Sequence, residues 1–314
     1  MGTRAIRLWI GVLAAGLMAI VPCLGDGSSP ADAGTAHVMV TVRPRNGTGS
    51  FSPSDLDGLK VYENGSLRPL VSITPPSARI DFTVVLDDSI GARTTEQYGN
   101  LADFFRSLPA GARVRVAYAS FGGNTIAQDF TTNYELAAKA LRVPVGQVAA
   151  GGSIYDSVAD LIMKWPGDGN RRELLLVSDG IDLQNGLVET QPPLNLELQR
   201  AVGAAQKDHV VVYTIFSRGP RELERHGLLL LNGQSCLLQL AIATGGHAFF
   251  EGTLTPLSFA PYLQQISRDL RNQFKLTFKP SEATASAFQR LNVACDNPAV
   301  RLSAPTRVFI PKVG

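Results

Sequence analysis

A buried strand that ends at adjacent carboxylates constrains the fold of this chain more than any other feature. Residues Phe82–Leu86 read FTVVL, and Asp87, Asp88 and Ser89 follow directly. An uninterrupted run of β-branched, aromatic and apolar residues is typical of a strand covered on both faces, as in a parallel α/β sheet. Open sheets of this kind bind ligands at the carboxyl ends of their strands. The sequence therefore predicts a central parallel strand with a polar site at its end.

The chain after Ile80 alternates between strand and helix patterns. Strands are predicted at 80–86, 114–119, 174–177, 210–216 and 247–250, with 125–130 as an edge partner. Helices are predicted near 95–108, 134–141, 154–163, 196–206, 237–243 and 259–271. This alternation implies an α/β fold, Rossmann-like and doubly wound, with a mostly parallel sheet. The strand order is expected to reverse beside the first of these strands, which creates a crevice at the carboxyl edge.

Both ends of the chain are predicted to add β structure. An early strand is expected at 37–42, and a hairpin around Asn64-Gly65, because both turn positions need positive φ. After Gln273, strands at 274–278, 289–293 and 307–310 form either an appendage or a sheet shared with the N-terminal hairpin. The predicted division is an N-terminal β segment over 37–75, an α/β domain over 76–272 and a C-terminal β segment over 273–314.

The segment Met1–Gly25 has the layout of a secretory signal peptide. Two arginines precede an apolar run from Leu8 to Val21, and small residues follow. Cleavage is expected after Gly25 or Ala33, and the stretch 26–36 reads as a flexible linker. Retention of the apolar run as a membrane anchor is the alternative. We therefore expect an exported protein, periplasmic or extracellular.

The charge balance and the cysteine content limit which partners and which cysteine chemistry this chain can have. The chain has 29 Lys and Arg against 27 Asp and Glu. Removal of Met1–Gly25 would take away two arginines and no acidic side chain, which leaves 27 of each sign. Such a protein has no electrostatic footprint for nucleic acid or an anionic membrane. Removal would also leave Cys236 and Cys295, which in an oxidising compartment could pair or remain two thiols.

The sequence carries no motif of a known catalytic class. It contains no HExxH, no zinc-spaced cysteine pair and no G-x-S-x-G elbow. The four histidines are dispersed: His37, His209, His226 and His247. Asp182 and Glu251 read as isolated carboxylates without a partner. We therefore expect a protein that is not an enzyme, and a hydrolase that uses Asp87 and Asp179 is the least favoured reading.

Six sequence blocks together resemble a von Willebrand factor A (VWA) domain. They are LKVYENG at 59–65, VVLDDS at 84–89, GGSIYD at 151–156, LLLVSDGID at 174–182, LAIATGG at 240–246 and DLRNQFKLTFKP at 269–280. On these blocks the chain is identified as a member of the bacterial VWA-related family of secreted proteins found widely in acidobacteria. The resemblance implies a Rossmann-like sheet flanked by β segments, in a family whose molecular function is poorly defined. Our leading hypothesis is a secreted module that binds another protein.

The resemblance also implies a metal site. In VWA domains three loops at the carboxyl end of the sheet hold a divalent cation, in what is called the metal-ion-dependent adhesion site. Asp87 and Ser89 match the first loop, Ser153 replaces the threonine of the second, and Asp179 matches the third. The two serines would then bind Mg²⁺ or another divalent cation directly, and the two aspartates would act through water. A carboxylate from a protein partner would complete the shell.

Gly91 departs from the family pattern, which has a second serine there. Water could fill the missing position, and the neighbouring Asp88 could compensate for it. Alternatively, Asp87 and Asp179 only complement helix N-termini and Ser153 only begins its helix. The protein would then be a structural envelope or assembly component with a vestigial, metal-free site. Gly91→Ser is expected to tighten cation binding, unless Gly91 has a positive φ.

Overall fold

The computed structural model describes residues 34–46, 49–76, 79–145, 152–219, 227–281 and 286–311, all within one structural unit. The predicted signal peptide, Met1–Gly25, lies outside the described residues, as does the predicted linker up to Ala33. Among the residues that are described, no helix is both long and apolar enough to cross a membrane.

The chain forms fourteen strands and six α-helices across its described parts. The strands are β1 (Ala36–Pro44), β2 (Lys60–Glu63), β3 (Ser66–Arg68), β4 (Leu70–Thr74), β5 (Ile80–Asp87), β6 (Arg113–Ser120), β7 (Gly123–Thr131), β8 (Arg171–Ser178), β9 (Val211–Phe216), β10 (Ala248–Phe249), β11 (Gln273–Phe278), β12 (Ala287–Ala294), β13 (Val300–Ser303) and β14 (Arg307–Ile310). The helices are α1 (Tyr98–Ser107), α2 (Tyr134–Lys139), α3 (Ile154–Met163), α4 (Leu196–Lys207), α5 (Gly227–Ala243) and α6 (Ala260–Arg271).

A six-stranded sheet lies at the centre of the fold, in the order β10-β9-β8-β5-β6-β7. All neighbours are parallel except β7, which runs antiparallel to β6. The strand order reverses beside β5, which pairs with β6 on one side and β8 on the other. The predicted fold class, a doubly wound and mostly parallel α/β sheet, is confirmed.

Helices cover both faces of this sheet, which explains why all eight residues of β5 are buried. Phe82, Val84 and Leu86 belong to one apolar cluster, together with residues of α1 and α6. Val85 points to the opposite face and joins a second cluster, with residues of α3, α4 and α5. A strand that helices cover on both faces has no side that faces solvent. Its residues are therefore apolar at successive positions instead of alternating between apolar and polar.

Two antiparallel sheets combine strands from both ends of the chain. Their orders are β13-β1-β11-β4 and β14-β12-β2-β3. The shared-sheet alternative is therefore the one observed, and a third apolar cluster lies between these strands. Asn64 and Gly65 have φ values of 50° and 84°, as the predicted hairpin turn between β2 and β3 requires.

Three details differ from the sequence prediction or were left open by it. Helix α5 begins at Gly227, well before the predicted 237–243 segment. The sequence did not indicate its first half because leucines occupy both buried and exposed positions there, which hides the contrast between an apolar and a polar face. Strand β13 was missed because it is short and has Pro305 close behind it. Cys236 and Cys295 are separate thiols: Cys236 is buried in α5, and Cys295 follows β12.

Arg43 and Asp269 join β1 to α6 through a buried ion pair, and its loss is the first testable prediction. Arg43 donates from Nε to Asp269 Oδ1 at 2.8 Å and from Nη2 to Oδ2 at 2.5 Å. The Asp269 side chain is only 1% exposed. Asp269→Ala would leave the guanidinium without its counter-charge, so we expect a loss of about 3 kcal/mol in the free energy of unfolding.

Chemical denaturation measures this loss. The matched control is Asp296→Ala, which removes the solvent-exposed pair with Lys60 and is expected to change stability little. Equal effects of the two substitutions would contradict a structural role for the Arg43–Asp269 pair.

Candidate metal centre

Three loops at the carboxyl end of the central sheet, together with the turn after β6, surround a small cavity of about 40 Å³ that is lined by both polar and apolar residues. The first loop follows β5, the second leads into α3, and the third follows β8. The cavity wall includes all four predicted site residues: Asp87, Ser89, Ser153 and Asp179. One water molecule needs roughly 10–15 Å³ on the same measure, so the space suits one cation with a few waters. Whether these residues bind a cation stays a prediction.

Both oxygens of the Asp87 carboxylate accept hydrogen bonds. Its Oδ1 accepts from the Ser89 backbone N–H at 2.9 Å and from Ser89 Oγ at 2.6 Å. Its Oδ2 accepts from Ser178 Oγ at 2.6 Å. Burial nevertheless raises the pKa of Asp87, although these three hydrogen bonds act to lower it.

Asp179 lies deep in the same site. Its Oδ1 accepts from the Ile181 backbone N–H at 2.9 Å. A Cβ atom at Gly219 would overlap Asp179 Oδ2, so this carboxylate packs directly on the Gly219 backbone. Burial, and secondarily the nearby charge of Asp87, raise the pKa of Asp179 to about 8. The two buried aspartates therefore repel each other when both are ionised.

Ser153 is fully buried and begins α3 as its N-cap residue. Its Oγ accepts from the Tyr155 backbone N–H at 3.1 Å and donates to Asp182 Oδ2 at 2.5 Å. A hydroxyl has one donor and two acceptor positions, so one lone pair of Ser153 remains for a ligand. The expectation that Ser153 begins a helix is met, and this role leaves an acceptor position open.

Asp182 also belongs to the surroundings of this site, which the sequence did not indicate. The interpretation of Asp182 as an isolated carboxylate is wrong. Its Oδ2 accepts from Ser153 Oγ and, at 3.2 Å, from Asn195 Nδ2. Its Oδ1 accepts from the Gln184 N–H at 3.0 Å. Asp182 therefore orients the hydroxyl of Ser153. No local pattern could have revealed this contact, because the two residues are 29 positions apart.

Asp88 does not compensate for Gly91. Arg142 donates to both of its carboxylate oxygens, at 2.7 and 2.8 Å, and the Val145 N–H donates at 2.9 Å. Burial acts to raise the pKa of Asp88, but the bonds from Arg142 and Val145 outweigh it and lower the pKa overall. Asp88 is thus held by Arg142 and Val145, and like Gly91 it is not among the described residues that line the cavity.

Gly91 has an ordinary backbone conformation, with φ −66° and ψ 150°. A Cβ atom there would lie 3.5 Å from the Arg218 carbonyl oxygen, which is normal van der Waals contact. The concern that serine would strain the loop at this position does not apply. Gly91 lies beside Gly219, whose backbone contacts Asp179.

The donor set fits a hard divalent cation. Serine hydroxyls and carboxylates are oxygen ligands of the kind that Mg²⁺ prefers. Among the described residues that line the cavity, none is Lys, Arg or His, so no basic side chain there offsets the two carboxylates. The described residues contain no cluster of three or more His, Cys, Asp and Glu placed to hold a metal.

No protein-family model matches this chain, and a search of curated proteins finds no match. Several solved structures resemble it. An aerotolerance-related membrane protein from Bacteroides fragilis is 12% identical with a TM-score of 0.42, over 61% of this chain and 98% of that one. The SpRpn10 VWA domain is 13% identical with a TM-score of 0.40, over 59% and 94%. A von Willebrand factor type A protein from Catenulispora acidiphila is 9% identical with a TM-score of 0.37, over 88% and 73%.

At such low identity this likeness concerns the fold alone. The architecture itself agrees with the VWA-type fold that the sequence blocks predicted: a central, mostly parallel sheet between helical layers, with antiparallel sheets from both chain ends.

Proposed function

We propose that this protein is an exported interaction module that binds one divalent cation, Mg²⁺ or a similar ion, and recognises a carboxylate of a protein partner through it. The observation that carries the proposal is the pairing of two buried carboxylates, Asp87 and Asp179, around a cavity whose described lining contains no basic side chain. Two like charges in a buried site are costly, and a bound cation offsets that cost.

Ser89 and Ser153 would contact the cation directly. Each already donates its proton to a carboxylate, at 2.6 Å to Asp87 and at 2.5 Å to Asp182. This fixes the hydroxyl so that a lone pair without a partner is available to a cation, and it increases the negative charge on the oxygen. Asp87 and Asp179 would bind the cation's water molecules. A cation held by few charged ligands keeps a net positive charge, which an acidic side chain of a partner can neutralise.

The alternative is a structural component with a vestigial site. The observation that favours it is the same pair of hydrogen bonds, because Ser89 and Ser153 have partners without any cation. The missing serine at Gly91 also reduces the number of ligands.

Thermal unfolding with and without cation separates these two functions. Binding to the folded state alone stabilises it, by about 2.7 kcal/mol at a cation concentration one hundred times the dissociation constant. Addition of Mg²⁺ or Mn²⁺ to chelator-treated protein is expected to raise the Tm, and Ser153→Ala to remove most of the rise. Ser107→Ala, at the end of α1, is the matched control. A Tm that no divalent cation changes would contradict the cation site and leave the structural alternative.

The partner is tested by affinity capture from the source organism, with and without chelator. A partner that binds through the cation is expected to be lost with chelator and with Ser153→Ala. A partner retained in both cases would contradict recognition through the cation.

Export is supported by the arginines and the apolar run of Met1–Gly25. Intact-mass analysis of the native protein is expected to show a chain that begins after Gly25 or Ala33. A native protein that retains Met1–Gly25 would favour a membrane anchor instead.

Gly91→Ser is expected to tighten cation binding by about 1 kcal/mol, roughly fivefold, if the new hydroxyl replaces a water ligand. The backbone at Gly91 permits the substitution without strain. Calorimetric titration with Mg²⁺ and Mn²⁺ measures the change. Gly99→Ala is a suitable control, because a Cβ there would have no heavy atom within 4 Å. Weaker binding by Gly91→Ser would contradict this role for the position.

A further inference from the structure

The outer surface of α5 is apolar in a regular pattern. Apart from Gly227 at its first position, the exposed residues of this helix are Leu228, Leu231, Ser235, Leu238 and Ile242. Leu228 and Leu231 are 70% and 54% exposed, and Leu238 and Ile242 are 37% and 52% exposed. Four of the five side chains are thus large hydrocarbons in contact with solvent. We call these five residues the α5 stripe.

The spacing of the α5 stripe alternates between three and four residues, which is the a/d heptad pattern of helices that pack side by side. The residues between them face inward and pack on β9 and α4: Leu229, Leu230, Gly233, Cys236, Leu237 and Leu240 are buried. One side of α5 therefore belongs to the core, and the other has the geometry of a helix–helix seam.

The chemistry of α5 identifies what kind of surface can cover the stripe. The helix has no charged residue in its 17 positions. A helix that lies on a membrane needs cationic residues beside its apolar face, and α5 has none. A different partner helix is usually selected by charges beside the seam, but the flanking positions here are the uncharged amides Asn232 and Gln239. An uncharged seam is complementary to a copy of itself.

We propose that the α5 stripe joins two copies of this chain in an antiparallel helix pair. In antiparallel pairs an a residue meets a d residue of the other helix. With Leu228 and Ser235 as a positions, the two-fold axis lies between Ser235 and Leu238. Each Ser235 then meets Leu238 of the other copy, and each Leu231 meets Ile242. The two central Ser235–Leu238 contacts thus each pair a small side chain with a large one, which allows close packing there.

Ser235 suits the centre of such a seam. Its Oγ donates to the Leu231 carbonyl oxygen within the same helix, at 2.7 Å. The hydroxyl is therefore already hydrogen-bonded, and burial against leucine would leave no donor without a partner.

The size of the seam sets the expected strength. A 17-residue helix is about 25 Å long, so its contact strip is smaller than a standard stable interface. We therefore expect a reversible dimer with a dissociation constant in the micromolar range, about −8 kcal/mol in binding free energy. The dimer does not involve the cation cavity, so chelator is expected to leave it unchanged.

Sedimentation equilibrium of the purified protein across the micromolar range tests the proposal. The wild type is expected to shift from one to two chains with concentration, in the presence and absence of chelator. Leu231→Glu and Ile242→Lys are each expected to weaken the dimer at least about tenfold, because each buries an unpaired charge. Leu136→Glu, on α2, is the matched control, since Leu136 is also exposed, at 45%. Circular dichroism confirms that every variant is folded.

Mixing the two charged variants tests the antiparallel arrangement. In the mixed dimer the carboxylate introduced by Leu231→Glu in one copy would meet the ammonium introduced by Ile242→Lys in the other, so mixing is expected to restore association. A wild type that stays monomeric, variants that associate like the wild type, or a mixture that stays monomeric would each overturn the proposal. None of these outcomes depends on whether the protein binds a cation.

Discussion

Asp179→Asn is expected to abolish cation binding and, in the absence of cation, to stabilise the protein. Asparagine keeps the oxygen that accepts from the Ile181 N–H but removes the charge next to Asp87. At a pH above about 8, where Asp179 would ionise, removal of its charge is expected to stabilise the metal-free fold by about the amount that the wild type loses between about pH 4 and about pH 8. The cation-dependent rise in Tm should disappear at the same time.

The pH dependence of stability gives an independent readout of the same group. The pKa of Asp179 is raised from an ordinary value near 3.8 to about 8. Between these values the folded protein holds a proton that the unfolded chain has lost. The stability of metal-free protein therefore falls as pH rises from about 4 to about 8, by up to about 1.4 kcal/mol per pH unit from this group. Asp179→Asn should remove that part of the fall.

Urea denaturation at several pH values, on the wild type and Asp179→Asn, measures both effects. Burial also raises the pKa of Glu173 to about 7, but its contribution is common to both proteins and cancels in the comparison. A cation competes with the proton, so cation affinity of the wild type should increase with pH up to about 8. Identical pH profiles for the two proteins, with no loss of cation binding, would refute this account of Asp179.

Gly152→Ala is expected to cause the largest loss of stability near the cavity. A Cβ atom at Gly152 would overlap the carbonyl carbon of Phe121 and the amide nitrogen of Gly122. Both are backbone atoms, so the loop after β6 must move to make room. The neighbouring Ser153 would move with Gly152. We expect a loss of about 3–5 kcal/mol in the free energy of unfolding, together with loss of cation binding.

The matched control is Gly123→Ala, one position beyond the same turn. Its Cβ would lie 3.7 Å from the Ser120 carbonyl oxygen, which is ordinary contact. We expect a change below about 1 kcal/mol, measured by the same denaturation experiment. If Gly152→Ala lowered the free energy of unfolding no more than this control does, the turn after β6 and the segment before α3 would not be closely packed in solution.

The sequence predicted the central sheet because its signals are local. The apolar run of β5 and the alternation of strands and helices depend on short windows, and the doubly wound order follows from general rules of connection. The same applies to the Asn64-Gly65 turn. The terminal sheets could only be left as two alternatives, because β1 near the start of the described chain pairs with β11 near its end and no local pattern encodes that pairing.

The polar contacts of the site were predictable only in part. Because Asp87 and Asp179 follow predicted parallel strands, the sequence indicated that both lie at one edge of the sheet. Nothing in it indicated that Ser178 would donate a hydrogen bond to Asp87 or that Ser153 would donate one to Asp182. The Asp88–Arg142 pair is similarly remote, across 54 positions. Such contacts depend on how loops pack after the sheet has formed. The conformation of Gly91 is likewise a property of the folded loop, which a glycine in a sequence does not specify.

The most direct test of the cation site is anomalous X-ray scattering from crystals of the protein grown with Mn²⁺. The account predicts one manganese peak in the cavity between the three loops, in contact with the hydroxyls of Ser89 and Ser153, and no peak there in crystals of Asp179→Asn. A wild-type cavity without a manganese peak, in crystals that hold Mn²⁺ at other positions, would contradict it.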